Sequence, residues 1–524
     1  MKRKMKRIML FVLSFVCLSA YSQQASNPII YSDVPDLSMI RVGETFYMSS
    51  TTMHMSPGVP IMKSKDLVNW DMVSYASKSL GTKDELNLTN GKSNYGQGSW
   101  ASSLRFHKGR YYVSTFASTT NKTYIYSTDN IEKNEWTEIS FTPAYHDHTL
   151  VFEDDGRAYL IYGSGKLNIV ELNVDLSGTV AGTDRVLIEN ASAPTEPNML
   201  KAEGSQLFKH DGRYYLFNIS WPRGLMRTVI VHRADNLFGP WEGRIALQDK
   251  GVAQGGIIDM PDGRWFAYLF QDHGAVGRIP FLVPMKWVDG WPVIGENGKV
   301  PETLDLPANK SLIPGVVNND DFTRRKGEPA LPLVWQWNHN PDNSLWSVTE
   351  RPGFLRLKTN RIDSLFLKSR NTLTQRTFGP VCSASTSLDI SKLKDGDFAG
   401  LVALQRKFGQ VGVKVVGKSR YIYMVSNKTD KPTEMQSIPL SKNKIYLKIE
   451  CDFRNRMDEA RFFYSFDGNI WNRIGGSLKM EYTLMEHFMG YRLGLYNYSS
   501  KKPGGFADFD YFHISDKISE NNKN

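Results

Sequence analysis

The 524-residue chain has three cysteines, and no two stand in a CxxC or Cys/His metal spacing. This leaves no sequence case for a zinc or dithiol centre. Cys382 and Cys451 can pair in an oxidising compartment or stand as separate buried thiols, and the sequence leaves both open. No apolar run reaches the ~20 residues needed to cross a bilayer. The longest, Ile8 to Ala20, is 13 residues long and follows the basic MKRKMKR. With Ala20-Tyr21-Ser22 behind it, this segment is predicted to be a signal peptide (1–22) cleaved before Gln23, with the product in the periplasm. Val16 before Cys17 does not suit a lipoprotein signal. Charge of one sign is also scarce. The net +10 contains Lys2, Arg3, Lys4, Lys6 and Arg7 with no acid among them, so the remainder carries 10 − 5 = +5. No Lys/Arg cluster remains, which argues against nucleic acid as partner, and nothing remains to hold a membrane after cleavage. Long amphipathic helical patterns are missing as well.

What is present is repetition. Five times the chain writes an apolar-aromatic strand, a turn closed by Gly, and another aromatic strand: MIRVGETFYMSS, LRFHKGRYYVST, LVFEDDGRAYLIY, QLFKHDGRYYLFN and IIDMPDGRWFAYLF. The turn glycines are Gly43, Gly109, Gly156, Gly212 and Gly263, spaced by 66, 47, 56 and 51 residues. A period near 50 with hairpin punctuation predicts β-propeller blades. Trp70, Trp136 and Trp241 each follow a polar-x-Asp turn, which places them as packing residues between blades. The propeller is predicted over 27–310 and closes in the Pro-rich linker Pro301 to Pro314. From 319 to 516, short alternating strands separated by turns read as a β-sandwich, with 517–524 a polar disordered tail. The fold class is therefore all-β: a five-bladed propeller followed by a concanavalin-like sandwich.

Equal offsets in a repeat place residues at equal positions around an axis. Nine residues before the turn Gly lie Trp100, Asp147, Glu203 and Gln254; in the less regular first blade Asp36 lies seven before Gly43. Three carboxylates thus share the axial end of the inner strands with a Trp and an amide. Carboxylates resist desolvation without partners, and crowding them splits their pKa values. One carboxyl can then donate a proton while another accepts one, the division that glycoside hydrolysis uses. His146 and His148 flank Asp147. Strand alternation would turn both away from its face, so they are expected to pack or to support indirectly. Asp508 and Asp510 fit one polar strand face better than a calcium site, and Trp335 and Trp337 are expected in the sandwich core.

Several segments resemble glycoside hydrolase family 43. They are Asn27-Pro-Ile-Ile, Pro35-Asp36 through Gly43, Pro57 through Trp70, Trp100-Ala-Ser-Ser-Leu-Arg, Ala202-Glu203-Gly-Ser-Gln-Leu, and Gly274-Ala-Val-Gly-Arg278 with Pro284-Met-Lys-Trp287. Trp335 to Pro341, Arg351 to Leu357 and Phe506 to Phe512 resemble the sandwich appended to its β-xylosidase and arabinofuranosidase branch. The resemblance implies an inverting mechanism. It makes Asp36 the general base, Glu203 the general acid, Asp147 the residue that orients the acid and tunes its pKa, and Arg278 a substrate-binding arginine beside Trp100 and Gln254. Two departures stand out. The usual Asp-Pro-Ser is Asp36-Leu37-Ser38, and Gln254 stands where many relatives carry His, so a structural calcium is not indicated, no metal ligand is assigned and no cofactor is expected. The expected activity is exo-release of terminal α-L-arabinofuranosyl groups from hemicellulose oligosaccharides such as arabinoxylan or xyloglucan. The alternatives are β-D-xylosidase, dual activity, and a non-catalytic sugar-binding propeller.

Overall fold

The structure is a computed structural model that describes residues 24–79 and 81–519. The expected signal peptide and the last five residues of the expected tail lie outside the described residues.

Five four-stranded antiparallel sheets follow one another along the chain. Their innermost strands are Ser38–Val42, Ser103–His107, Thr149–Phe152, Asn198–His210 and Ala253–Asp259. Each is joined to the second strand of its sheet by the turn whose glycine set the sequence period. Those five glycines have φ between +61 and +90°, a left-handed conformation that costs Gly least. The blades pack through apolar faces. Tyr47, Val59 and Ile61 of blade 1 meet Leu104, Val113 and Tyr126 of blade 2, and Trp136 leans on that cluster. Blades 2 and 3 share Ile125, Leu150 and Leu160, and blades 3 and 4 share Ile161, Leu216 and Ile230, with Trp241 against them. Trp70 is buried in the largest cluster and donates its Nε1–H to the Leu67 carbonyl at 2.8 Å.

The segment expected as a plain linker contains a strand. Thr303–Pro307 pairs antiparallel with Gln24–Ser26, which ties the two ends of the propeller together. Its alternation, with Leu304 and Leu306 buried among exposed polar neighbours, was masked by the flanking prolines.

The C-terminal part is two stacked sheets of eight and nine strands, a sandwich with Trp335 and Trp337 in its core. Asp508 is buried and bonded by Arg356 and Arg351. Asp510 pairs with Lys444 at 3.3 Å. Cys382 and Cys451 are direct cross-strand partners, both buried and both free. The eight-stranded sheet ends on a propeller segment, Met55–Ser56, paired with Trp337 and Asn338. Asp33 adds a second tie. Its carboxylate accepts the Arg278 N–H of blade 5 at 2.7 Å and the Gly490 N–H of the sandwich at 2.9 Å. Gly277 makes room for it, since a Cβ there would come within 2.1 Å of the Asp33 oxygen. The two halves are thereby locked around the axial face of the propeller.

Candidate active site

Asp36, Asp147 and Gln254 line one small space; Glu203 lies beside Asp147, and Trp100 packs against Phe488. Asp36 and Asp147 sit just before the inner strands of blades 1 and 3, Trp100 before that of blade 2, and Gln254 inside that of blade 5. Glu203 lies in mid-strand in blade 4, because that strand runs on to Asn198 with its register interrupted by bulges on either side of Glu203. Asp36, Asp147 and Gln254 have φ of +50, +46 and +53°. Non-glycine residues held in this region mark functional sites more often than chance. The bulged strand achieves the same redirection with Gly204, φ +66°, against which the Gln254 side chain packs.

Asp36 is buried and bonded by the equally buried Arg278, Nη1 to Oδ1 at 2.7 Å. Burial pushes the Asp36 carboxyl up, while Arg278 and the more distant Arg227 pull it down. Asp147 is raised to about 7, first by burial, with His146 opposing and Glu203 and Asp36 adding to the rise. Burial thus pushes both buried carboxyls up. Glu203 keeps 20% of its side chain exposed, and its backbone carbonyl is held by the Asn218 amide. Beneath the ring the enclosed space is only ≈ 10 Å³, lined by Asp36, Asp147, Ser205 and Gln254, about the room for one water. A much larger groove of ≈ 1270 Å³ lies between the N-terminal strand, Trp70 and residues 308–316. It gathers no converging carboxylates, so the chemistry belongs to the axis.

One expectation about the site is corrected. His146 faces it: Nε2 lies 3.3 Å from Glu203 Oε2 and 3.9 Å from Asp147 Oδ2. Residues 146 and 147 form a turn, so strand alternation does not extend across them. His148 is buried, bonds the Tyr145 carbonyl through Nδ1 at 2.9 Å, and lines the same small space as Asp36 and Asp147. His146, Asp147 and Glu203 also form the one compact His/Asp/Glu group among the described residues, with candidate ligand atoms within 4.8 Å of one another.

The sequence reading missed the wall that the sandwich contributes. Phe488 packs its ring 5.6 Å from that of Trp100 and 4.5 Å from the Arg278 guanidinium, and its carbonyl accepts from Arg278 Nη2 at 3.4 Å. Tyr482 stands edge-on to Phe488. Burial drives its hydroxyl pKa well up, and the charges of Arg278, Asp33, Asp272 and Asp36 also act on it. Trp100 Nε1, Arg278 Nε and the Tyr482 hydroxyl are buried without a protein partner.

The comparisons agree with this arrangement. Residues 25–292 match the model of glycosyl hydrolases family 43, and residues 319–515 that of the beta xylosidase C-terminal concanavalin A-like domain. A beta-xylosidase of Formosa agariphila is 30% identical, the alignment covering 93% of this chain and 89% of that one. The non-reducing end alpha-L-arabinofuranosidase BoGH43B of Bacteroides ovatus is 27% identical over 72% of this chain and 73% of its own. Among solved structures, a bifunctional GH43-CE protein of Bacteroides eggerthii is 62% identical with a TM-score of 0.94, over 95% of this chain. The chain spans 64% of the length of that protein. With a five-bladed propeller, a carboxylate-lined axis and a concanavalin-like partner domain, the chain belongs to glycoside hydrolase family 43.

Proposed function

We propose that the chain is an inverting exo-glycosidase that removes terminal α-L-arabinofuranosyl groups from plant hemicellulose oligosaccharides. The observation that carries the reading is the gathering of Asp36, Asp147 and Glu203 around a pocket walled by Phe488 of the sandwich. In this reading Asp36 takes a proton from the attacking water while Glu203 gives one to the glycosidic oxygen, so charge balances across the sugar. Asp147 orients Glu203 and adjusts its proton affinity. Arg278 opposes the upward push of burial on Asp36 and shares the terminal sugar with Trp100 and Gln254. Exo action requires a pocket that admits only a chain end.

β-D-Xylosyl release, alone or together with arabinosyl release, is the second reading. Both activities occur in the names of the relatives. The two groups are isomeric pentosyls that present similar hydroxyls, which favours acceptance of both by one pocket. We propose further that no metal is required and that residues 1–22 direct export to the periplasm. The test is release of p-nitrophenol from α-L-arabinofuranoside and β-D-xylopyranoside, followed by defined arabinosylated and xylosylated oligosaccharides with identification of the sugar released. Release from neither aryl glycoside and from no oligosaccharide would leave only the sugar-binding propeller.

A further inference from the structure

We infer that His146 is a positioning residue for the proton donor: its Nε2–H holds the Glu203 carboxyl towards the glycosidic oxygen and makes it a stronger acid. The inference rests on the glycosidase reading above. Its ground is geometric. Asp147 adopts φ +46°, which lets two successive side chains of one turn face the axis. The His146 carbonyl is fixed by the Gly163 N–H at 3.1 Å, and its ring meets the edge of Phe116 of blade 2 at 5.4 Å. The same turn is tied to the Glu203 strand, because Ser205 N–H donates to the Asp147 carbonyl. The turn is thus fixed by Gly163 and Ser205 and the ring by Phe116, with Nε2 directed at Glu203 Oε2. It stays 42% exposed, open to the pocket where the leaving group must lie.

The titratable groups that face His146 are Asp147 and His148 from its own turn and Glu203 from blade 4. Blade 2 presents the Phe116 ring. Asp36 and Arg278 act on Asp147 rather than on His146. Burial by itself would lower the His146 pKa, but the hydrogen bond to Glu203 and the charges of Asp147 and Glu203 carry it up to about 9. The imidazolium is thus favoured as long as its carboxyl partners are ionised. A hydrogen-bonded cation favours the carboxylate over the acid. When Glu203 gives up its proton, the anion left behind is already paired. Asp147 pushes the other way, so the two neighbours set the strength of the acid between them. The three titrate as a set, and the measurable quantities are apparent values.

The sign follows. The alkaline limb of kcat/KM reports loss of the protonated acid. Removing the cation raises the proton affinity of Glu203 and moves that limb to higher pH. The test compares the full chain with His146→Phe and His146→Asn, using p-nitrophenyl pentosides and aryl pentosides with more basic leaving groups. His146→Asn keeps a donor without the charge and guards against a folding defect in the larger replacement. We expect the alkaline limb to rise by about one pH unit or more in both variants. We also expect the loss in kcat to grow as the leaving group becomes more basic. A limb that stays in place or falls, with activity reduced equally for all leaving groups, makes His146 merely structural and overturns the inference. If the unmodified chain hydrolyses none of these pentosides, the glycosidase reading falls, and this inference with it.

Discussion

Replacing Phe488 by alanine tests whether the sandwich is part of the working pocket or only a neighbour of it. The ring makes two contacts that bear on the site, an aromatic pair with Trp100 and a cation–π contact with Arg278. An aromatic pair contributes about 0.5–1.5 kcal/mol beyond area burial, and a partly desolvated cation–π contact about 0.5–2 kcal/mol. Losing both costs about 1–3.5 kcal/mol. If all of it is felt in the transition state, kcat/KM falls about 5- to 300-fold. The backbone carbonyl that accepts from Arg278 remains, so the loss should not reach that of removing Arg278. Phe488 is only half-buried, and its φ of +55° is no harder for alanine, so thermal unfolding should move by only a few degrees. The assay is steady-state kinetics on both p-nitrophenyl pentosides alongside calorimetric unfolding. A variant with unchanged Tm and kcat/KM within twofold of the parent would refute the claim that the sandwich loop shapes the pocket.

Arg278→Leu leaves the Asp36 carboxyl buried without its cation, a change that costs about 3–5 kcal/mol for buried pairs. Arg278 pulls the Asp36 pKa down, so its loss should move the acidic limb of the pH–rate profile upward and lower kcat/KM at least 100-fold; an unmoved acidic limb would contradict the pairing. Glu203→Gln should slow oligosaccharides far more than p-nitrophenyl pentosides, whose leaving group needs little protonation, as initial rates on the two classes will show. Proton NMR of the first-formed sugar should show the anomer inverted relative to the substrate, and a retained anomer would count against Asp36 as a base. Cys382 and Cys451 are free and fully buried, so a thiol reagent should reach neither of these two in the folded reduced protein and both after unfolding.

The five turn glycines carried most of the architecture. Each marks a backbone position that a side chain disfavours, and the period between them locates the axis. From that ruler Asp36, Asp147, Glu203, Trp100 and Gln254 follow as residues of one ring. Phe488 and Tyr482 were out of reach because they come from the other half of the chain, about 210 residues beyond Arg278, and no local pattern links them to the axis. His146 was misplaced for a different reason. Alternation holds within a strand, but the left-handed Asp147 breaks it two residues before the strand begins. The Met55–Ser56 pairing with Trp337 and Asn338 escaped notice for the same reason as Phe488: a two-residue strand has no period to read, and its partner is some 280 residues away.

The account rests on Asp36 as the group that activates water at the propeller axis. The most direct measurement is hydrolysis by Asp36→Ala set against its binding of the same oligosaccharide by calorimetry. The account predicts hydrolysis reduced to background with sugar binding nearly intact. Hydrolysis that persists in this variant would contradict it.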